Sequence, residues 1–427
     1  MLRGRSMSLV RTAGSLLATS AVLLLASPAC VIKLNDKNAP LDNGGVTGVS
    51  ADCEVIVPAA RAIVSDGPPA IKYVGRYDMS DAAGPKLDWS GSYVSARFTG
   101  TEVAININVP DNMDTSFMFE GVVDGQDLVD FMVSPGQTRY PIATNLPPGE
   151  HEVVVMRNTE PQKGVSQWAG FDFGPGGQLL PPTVNARRIE IIGDSITCGY
   201  GMMGPNATCP FDVEVRPNVR VPVTENVYRA YGSIAGRELS ADVVTLCYSG
   251  KGVVLNYREP KEEQEPRTTM PQYYERTICG DPEGAKWDFT KDAQPQVVLI
   301  NLGTNDFTRD VDADTVADGI DLPRFRAGYL DFVKSVRARR PDAHIFLGVS
   351  PMLTDKFPLD NARSEMRDTF GSVADELNAA GDTKVYRIEF VEQGTRYGLG
   401  CDYHPNQEVH RIMAEQLVGA IRSKTCW

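Results

Sequence analysis

Residues 188–201 read Arg188-Ile189-Glu190-Ile191-Ile192-Gly193-Asp194-Ser195-Ile196-Thr197-Cys198-Gly199-Tyr200-Gly201. Arg188 to Ile192 is a short apolar run of the kind that forms a buried strand. It stops at Gly193, and a serine follows two residues later, with Gly199 and Gly201 close behind. A serine on a tight turn at a strand C-terminus stands where an open α/β sheet places its ligand site. The spacing is not Gly-x-Ser-x-Gly, so the usual nucleophile elbow is absent.

Downstream of this stretch the same texture repeats. Val243 to Cys247, Val297 to Leu302, Ile345 to Val349 and Val385 to Phe390 are further strand-like runs. Helical spacing links Val227, Tyr231, Ile234 and Leu239, then Phe325, Tyr329, Phe332 and Val336. It recurs at Met366, Phe370, Val373 and Leu377, and over Val409 to Ile421. Five strands alternating with helices predict a doubly wound α/β domain over 187–427. Three more chemistry-bearing segments follow its strands or precede its last helix. They are Ser249-Gly250-Lys251-Gly252, Gly303-Thr304-Asn305-Asp306 and Asp402-Tyr403-His404-Pro405-Asn406. A serine nucleophile needs a base and a carbonyl substrate needs oxyanion donors; these loops offer both.

Upstream, residues 54–182 are different. Ile71 to Tyr77, Tyr93 to Phe98, Glu102 to Val109, Ser116 to Val123 and His151 to Met156 are β-rich. Asp124-Gly125, Ser134-Pro135-Gly136 and Pro147-Pro148-Gly149 mark turns between them. No helix is expected here; some six to eight strands predict a β-sandwich, of jelly-roll type.

The chain of 427 residues carries 42 Lys+Arg against 55 Asp+Glu, a net charge of -13. An acidic surface of this kind excludes nucleic acid as the main partner, which needs a dense basic field. Arg3, Arg5 and Arg11 precede the apolar run Leu16 to Ala26, which is too short to span a bilayer. Residues 1–29 therefore read as a secretory leader. The Ala29-Cys30 junction resembles a bacterial lipoprotein signal, implying acylation of Cys30, export and membrane contact only through that anchor. Residues 30–53 read as a tether. Cysteines stand at 30, 53, 198, 209, 247, 279, 401 and 426. Cys247 ends an apolar run and is expected to be a buried thiol, leaving six that permit several pairings. None are spaced as zinc knuckles.

The four blocks resemble the SGNH (GDSL-type) hydrolases. The resemblance implies Ser195 as nucleophile and His404 as base. It also implies an oxyanion hole of the Ser195 N–H, the Gly250 N–H and the Asn305 side chain. With Val74-Gly75-Arg76-Tyr77 and Trp89-Ser90-Gly91-Ser92 included, the chain is similar to carbohydrate esterase family 2 over nearly its whole mature length. That likeness implies removal of acetyl groups from polysaccharide or oligosaccharide, without metal or other cofactor. One departure matters. The family's third carboxylate usually stands three residues before the histidine, where this chain has Cys401; Asp402 stands two before. The imidazole is then oriented either by Asp402 as a third catalytic member or by a backbone carbonyl. A bridge at Cys401 would favour the carbonyl, by pinning the loop mechanically. Among enzymes the rival reading is a lipase or thioesterase of the same superfamily. Outside enzymes it is an inert surface protein that binds carbohydrate.

Of the other histidines, His151 and His344 read as structural, and His410 lies a turn or more beyond His404 in the last helix. Asp194 reads as a hydrogen-bonding residue under the turn. Tyr200, Tyr257, Trp287 and Tyr403 are candidates to stack on a sugar ring. Asp310, Asp312, Asp314, Asp318 and Asp321 only faintly echo a calcium loop, with Thr315 where glycine is needed, and read better as a solvated loop or helix cap.

Overall fold

The computed structural model describes residues 63–427, apart from 111–115, 218, 259–267, 310–316 and 395. The expected leader and tether, with Cys30 and Cys53, and the acidic positions Asp310, Asp312 and Asp314 lie outside the described residues. Asp321 caps the helix Leu322–Arg339, accepting from Arg324 N at 3.1 Å.

Two antiparallel sheets make up the N-terminal part. One orders Lys86–Leu87, Ser166–Asp172, Val103–Asn108 and Arg139–Ala143. The other orders Gln178–Leu180, Tyr93–Gly100, Gly149–Arg157, Phe117–Val123 and Gln126–Val133, with Lys72–Val74 paired to Tyr93–Gly100. Alternation explains the sandwich: Ile105 and Ile107 are buried while Asn106 and Asn108 face outward. Val94, Ala96, Phe98, Phe117 and Phe119 close the core from the facing sheet, and Trp168 packs into it from the neighbouring strand. There are more strands than the β-rich runs suggest, because Gln126–Val133, Arg139–Ala143 and Ser166–Asp172 carry polar residues that weaken their pattern. Among the described residues a 3-10 turn, Pro161–Lys163, interrupts the sheets.

The C-terminal part has five parallel strands. Counted along the chain they are Arg187–Gly193, Ala241–Cys247, Val297–Asn301, His344–Val349 and Val385–Glu389, in spatial order 2-1-3-4-5. Ile192, Val244, Leu246, Val298 and Ile300 pack on one face against Phe325, Tyr329, Phe370 and Val373. Ile189, Ile191, Val243, Leu299 and Phe346 pack on the other against Tyr231, Leu239, Met413 and Leu417. Period-two strands between two layers of helix are the doubly wound arrangement. Its switch point lies between the first and third strands, at their C-terminal ends.

The second helix is Tyr231–Glu238 and begins later than the 3.6-residue spacing predicts. Asn226 holds the preceding residues in a turn: its N donates to Gly199 O at 3.2 Å and its Oδ1 accepts from Arg229 N at 2.9 Å. Tyr231 N then finds its acceptor in His410 Nδ1, 3.2 Å away on the last helix.

The cysteine expectation is reversed. Cys247 is bonded to Cys198, and among the described residues Cys279 is a free, buried thiol. Cys209 is bonded to Cys401. No helix among the described residues is long and apolar enough to cross a membrane.

Buried polar contacts join the two parts. Asp88 accepts from Cys279 N at 2.9 Å and Gly280 N at 2.7 Å, and Trp89 Nε1 donates to Thr277 O at 3.1 Å. Lys72 pairs with Asp242 at 2.6 Å, and Glu120 receives Asn226 Nδ2 at 2.7 Å and Arg229 at 3.0 Å. Charge-assisted bonds are each worth about 1.5–3 kcal/mol, and buried acceptors that lose their donors cost as much. The sandwich is therefore fixed against the α/β sheet.

Candidate active site

Ser195 opens a one-turn helix, Ser195–Cys198, directly after the first strand. Asp194 is its N-cap, Oδ1 accepting from Ile196 N at 3.0 Å. Gly193 cannot be replaced: an added Cβ would lie 2.0 Å from Thr197 Oγ1. Gly199 ends the turn in the left-handed region, and an added Cβ there would meet Asn226 O at 2.5 Å. Ser195 keeps only 8% of its surface exposed. As the first helical residue, its N–H has no partner within the helix.

Ser195 Oγ lies 2.9 Å from His404 Nε2. His404 Nδ1 lies 2.8 Å from the backbone carbonyl of Asp402, which fixes the imidazole as the Nδ1–H tautomer when neutral. The Asp402 carboxylate goes elsewhere: its Oδ2 accepts from Tyr200 Oη at 3.1 Å. Asp402 as the third, carboxylate member is therefore corrected. The segment is not extended; Cys401–Tyr403 is a 3-10 turn in which Asp402 (φ 51°) and Tyr403 (φ 58°) are both left-handed. That twist turns the carbonyl, rather than the side chain, toward Nδ1. Cys401, at the position where a carboxylate is expected, is spent on its bridge to Cys209. Cys401 N donates to Gly201 O at 2.9 Å, so the histidine loop is also stitched to the serine turn.

Burial pulls the His404 pKa down to about 4, and the Asp402 carbonyl only partly offsets this. Tyr200 lies over the imidazole at 4.2 Å between ring centroids and stacks on Phe211 at 3.6 Å. Its hydroxyl pKa is raised, by burial first and then by Asp402.

Gly250 sits in the turn after the second strand with φ +75°, a conformation that suits glycine. Asn305, after the third strand, donates from Nδ2 to Lys251 O at 3.0 Å and reaches Asp194 Oδ2 at 3.4 Å. Asp306 accepts from Val253 N, Val254 N and Leu255 N at 3.0, 2.7 and 2.9 Å, holding the whole 250–257 loop. Burial pushes Asp306 up to about 6 and Asp194 up to about 7, each opposed by its N–H donors. Asp194 is thus a capping acid.

The sequence reading overlooked the bracing role of Asp306, the Tyr200–Phe211 stack and Glu160, which reaches Ser249 from the sandwich. The polar spacing around Gly303-Thr304-Asn305-Asp306 carried a signal for the first; nothing local signals the others. Tyr257 and Tyr403 are 50% and 58% exposed, whereas Tyr200 is stacked on Phe211 and the Trp287 ring is covered by Arg76. His151 is held by Asp124 and Pro147 O, and His344 by Tyr386.

Residues 73–182 match the model of the carbohydrate esterase 2 N-terminal domain, and residues 191–412 that of the GDSL-like lipase/acylhydrolase family. The chain is 37% identical over 359 residues to the cellulase/esterase CelE of Acetivibrio thermocellus, covering 84% of this chain but 40% of that protein. It is 28% identical over 339 residues to an acetylxylan esterase/glucomannan deacetylase of Cellvibrio japonicus, covering 79% of this chain and 85% of that one. A family two carbohydrate esterase from Clostridium thermocellum, solved with cellohexaose, superposes with a TM-score of 0.71 at 37% identity, over 84% of this chain and all of that one. The chain belongs to carbohydrate esterase family 2.

Proposed function

We propose that this protein removes O-acetyl groups from carbohydrate through a Ser195–His404 dyad. The observation that carries the reading is the 2.9 Å contact between Ser195 Oγ and His404 Nε2, with Nδ1 occupied by the Asp402 carbonyl. His404 takes the serine proton as Oγ attacks the acetyl carbonyl. The oxyanion is held by the Ser195 N–H, the Gly250 N–H and Asn305 Nδ2, whose contact to Asp194 at 3.4 Å is long enough to yield a hydrogen. Protonated His404 returns its proton to the departing sugar oxygen, leaving an acetyl-serine. Water, deprotonated by the same imidazole, releases acetate and restores the hydroxyl. His404 works here as base and acid in turn, and the Asp402 carbonyl keeps its ring aligned.

Substrate class comes from the relatives, one an acetylxylan esterase/glucomannan deacetylase and another solved with cellohexaose. Exposed Tyr257, whose N donates to Gly250 O at 2.8 Å, offers a sugar-stacking face beside the oxyanion donors. The leader and Cys30 support export with an N-terminal lipid anchor, and the disulfides suit an oxidising compartment. Comparing kcat/KM for acetyl, butyryl and octanoyl esters tests the acyl preference. Acetyl should lead, because each added methylene must find room in the acyl pocket. An octanoyl ester turned over with the higher kcat/KM would make the protein a lipase instead.

A further inference from the structure

Glu160 belongs to the sandwich but acts on the α/β part. It follows the strand Gly149–Arg157 and is fully buried. Its Oε2 accepts from Ser249 N at 2.5 Å and its Oε1 accepts from Ser249 Oγ. Ser249 directly precedes Gly250. Clamping both the amide and the hydroxyl of one residue fixes its backbone and its χ1 together. On the far side Tyr257 N holds Gly250 O at 2.8 Å. The peptide that carries the Gly250 N–H is therefore braced at both ends.

A second buried carboxyl stands beside it. Glu225 is 2% exposed, and both the backbone N–H and the carboxyl of Glu160 approach its carboxyl group. Carboxyl oxygens of Glu160 and Glu225 lie within 4.8 Å of each other and of Cys198 Sγ. That sulfur is bonded to Cys247 and is no thiolate. Two carboxylates this close in a buried site cannot both be ionised, so the pair shares a proton. Burial raises both carboxyls, and the neighbouring Glu160 raises Glu225 further; the Ser249 donors oppose the rise at Glu160. Because Ser249 offers Glu160 two donors, the shared proton is favoured on Glu225 and the charge on Glu160.

We propose that Glu160 is a positioning residue for the oxyanion hole, a carboxylate lent by the β-sandwich that aims the Gly250 N–H at the reacting carbonyl. This rests on the esterase reading of Ser195 and His404. It makes the sandwich a working part of the active centre rather than an appended module.

Glu160→Gln keeps the size but removes the charge and leaves one acceptor, so the Ser249 hydroxyl must turn round to accept from Nε2. Misaiming one oxyanion donor should cost less than deleting it, so kcat should fall about 10- to 100-fold with KM within about threefold of wild type. The inhibition constant of a small alkylboronic acid, whose tetrahedral adduct on Ser195 fills the oxyanion hole, should rise in parallel. Ser249→Ala, which removes only the hydroxyl bond, should show a smaller fall in kcat. The double variant should resemble Glu160→Gln alone, because both changes act through the same clamp on Ser249. A folded Glu160→Gln protein with wild-type kcat, or one changed only in KM or melting temperature, would overturn the proposal. If that variant does not fold, wild-type kcat and boronate affinity in Ser249→Ala would overturn it equally. A wild-type protein inert toward every acyl ester would overturn the esterase reading and this proposal together, which separates the two failures.

Discussion

The imidazole of His404 is oriented by the backbone of Asp402 and not by its carboxylate: Nδ1 lies 2.8 Å from the carbonyl oxygen, while the side chain bonds Tyr200 Oη at 3.1 Å. A carbonyl cannot be removed by a side-chain change and cannot take a proton. It holds the tautomer as well as a carboxylate does, but adds less charge to stabilise the imidazolium.

Asp402→Asn should therefore lower kcat by less than about 100-fold, since only the Tyr200 contact changes. Steady-state kinetics on an acetyl ester decide the matter. A loss near the ~10⁴-fold seen when a histidine is left in the wrong tautomer would restore the carboxylate to the third position.

The acid limb of activity follows from the histidine pKa. Only neutral His404 can accept the serine proton, and burial has moved its pKa down from the ordinary value to about 4. Protonation, and with it loss of kcat/KM, should occur as pH falls through about 4, leaving a plateau from about pH 5 upward. A pH–rate profile with its acid midpoint at 6.5 or above would show that the imidazole is better solvated than the structure has it.

Much of this site was legible in the chain and some was not, for physical reasons. Gly193-Asp194-Ser195, Gly250, Asn305 and His404 were readable because each sits at the end of a continuous apolar strand or just before an amphipathic helix, and local pattern reports both. The third orienting group was not, because a carbonyl has no letter and its direction depends on left-handed φ values at Asp402 and Tyr403. Cys247 looked like a core thiol because its strand is apolar; only the fold brings Cys198 beside it. The start of the Tyr231–Glu238 helix depends on His410, far along the chain, and Glu160 meets Ser249 across two domains. Contacts of this separation leave no periodicity to read.

The Cys209–Cys401 bridge holds the histidine loop against the turn after Ser195, and Gly204 is a glycine there because an added Cβ would lie 2.1 Å from Cys401 Sγ. Replacing both cysteines by serine should cost about 2–4 kcal/mol of stability in denaturant unfolding. It should also lower kcat more than it raises KM, since the loop it frees carries the base. Unchanged kcat in the folded double variant would show that the hydrogen bonds from Cys401 N to Gly201 O and from Gly400 N to His404 O suffice.

Asn305→Ala deletes a proposed oxyanion donor and should reduce kcat about 10²- to 10³-fold with little change in KM. The amide also ties Lys251 O at 3.0 Å, so a thermal melt must accompany the kinetics. Wild-type kcat in this variant would leave the oxyanion to the two backbone donors alone.

The central claim is that Ser195 Oγ is the atom acylated by the substrate. It is tested by measuring acetate released from an acetylated polysaccharide by the wild-type protein and by Ser195→Ala, at equal concentrations of folded protein. Acetate release should fall by several orders of magnitude in the variant. A variant that keeps more than about a tenth of wild-type activity would contradict the account, because another group would then be the nucleophile.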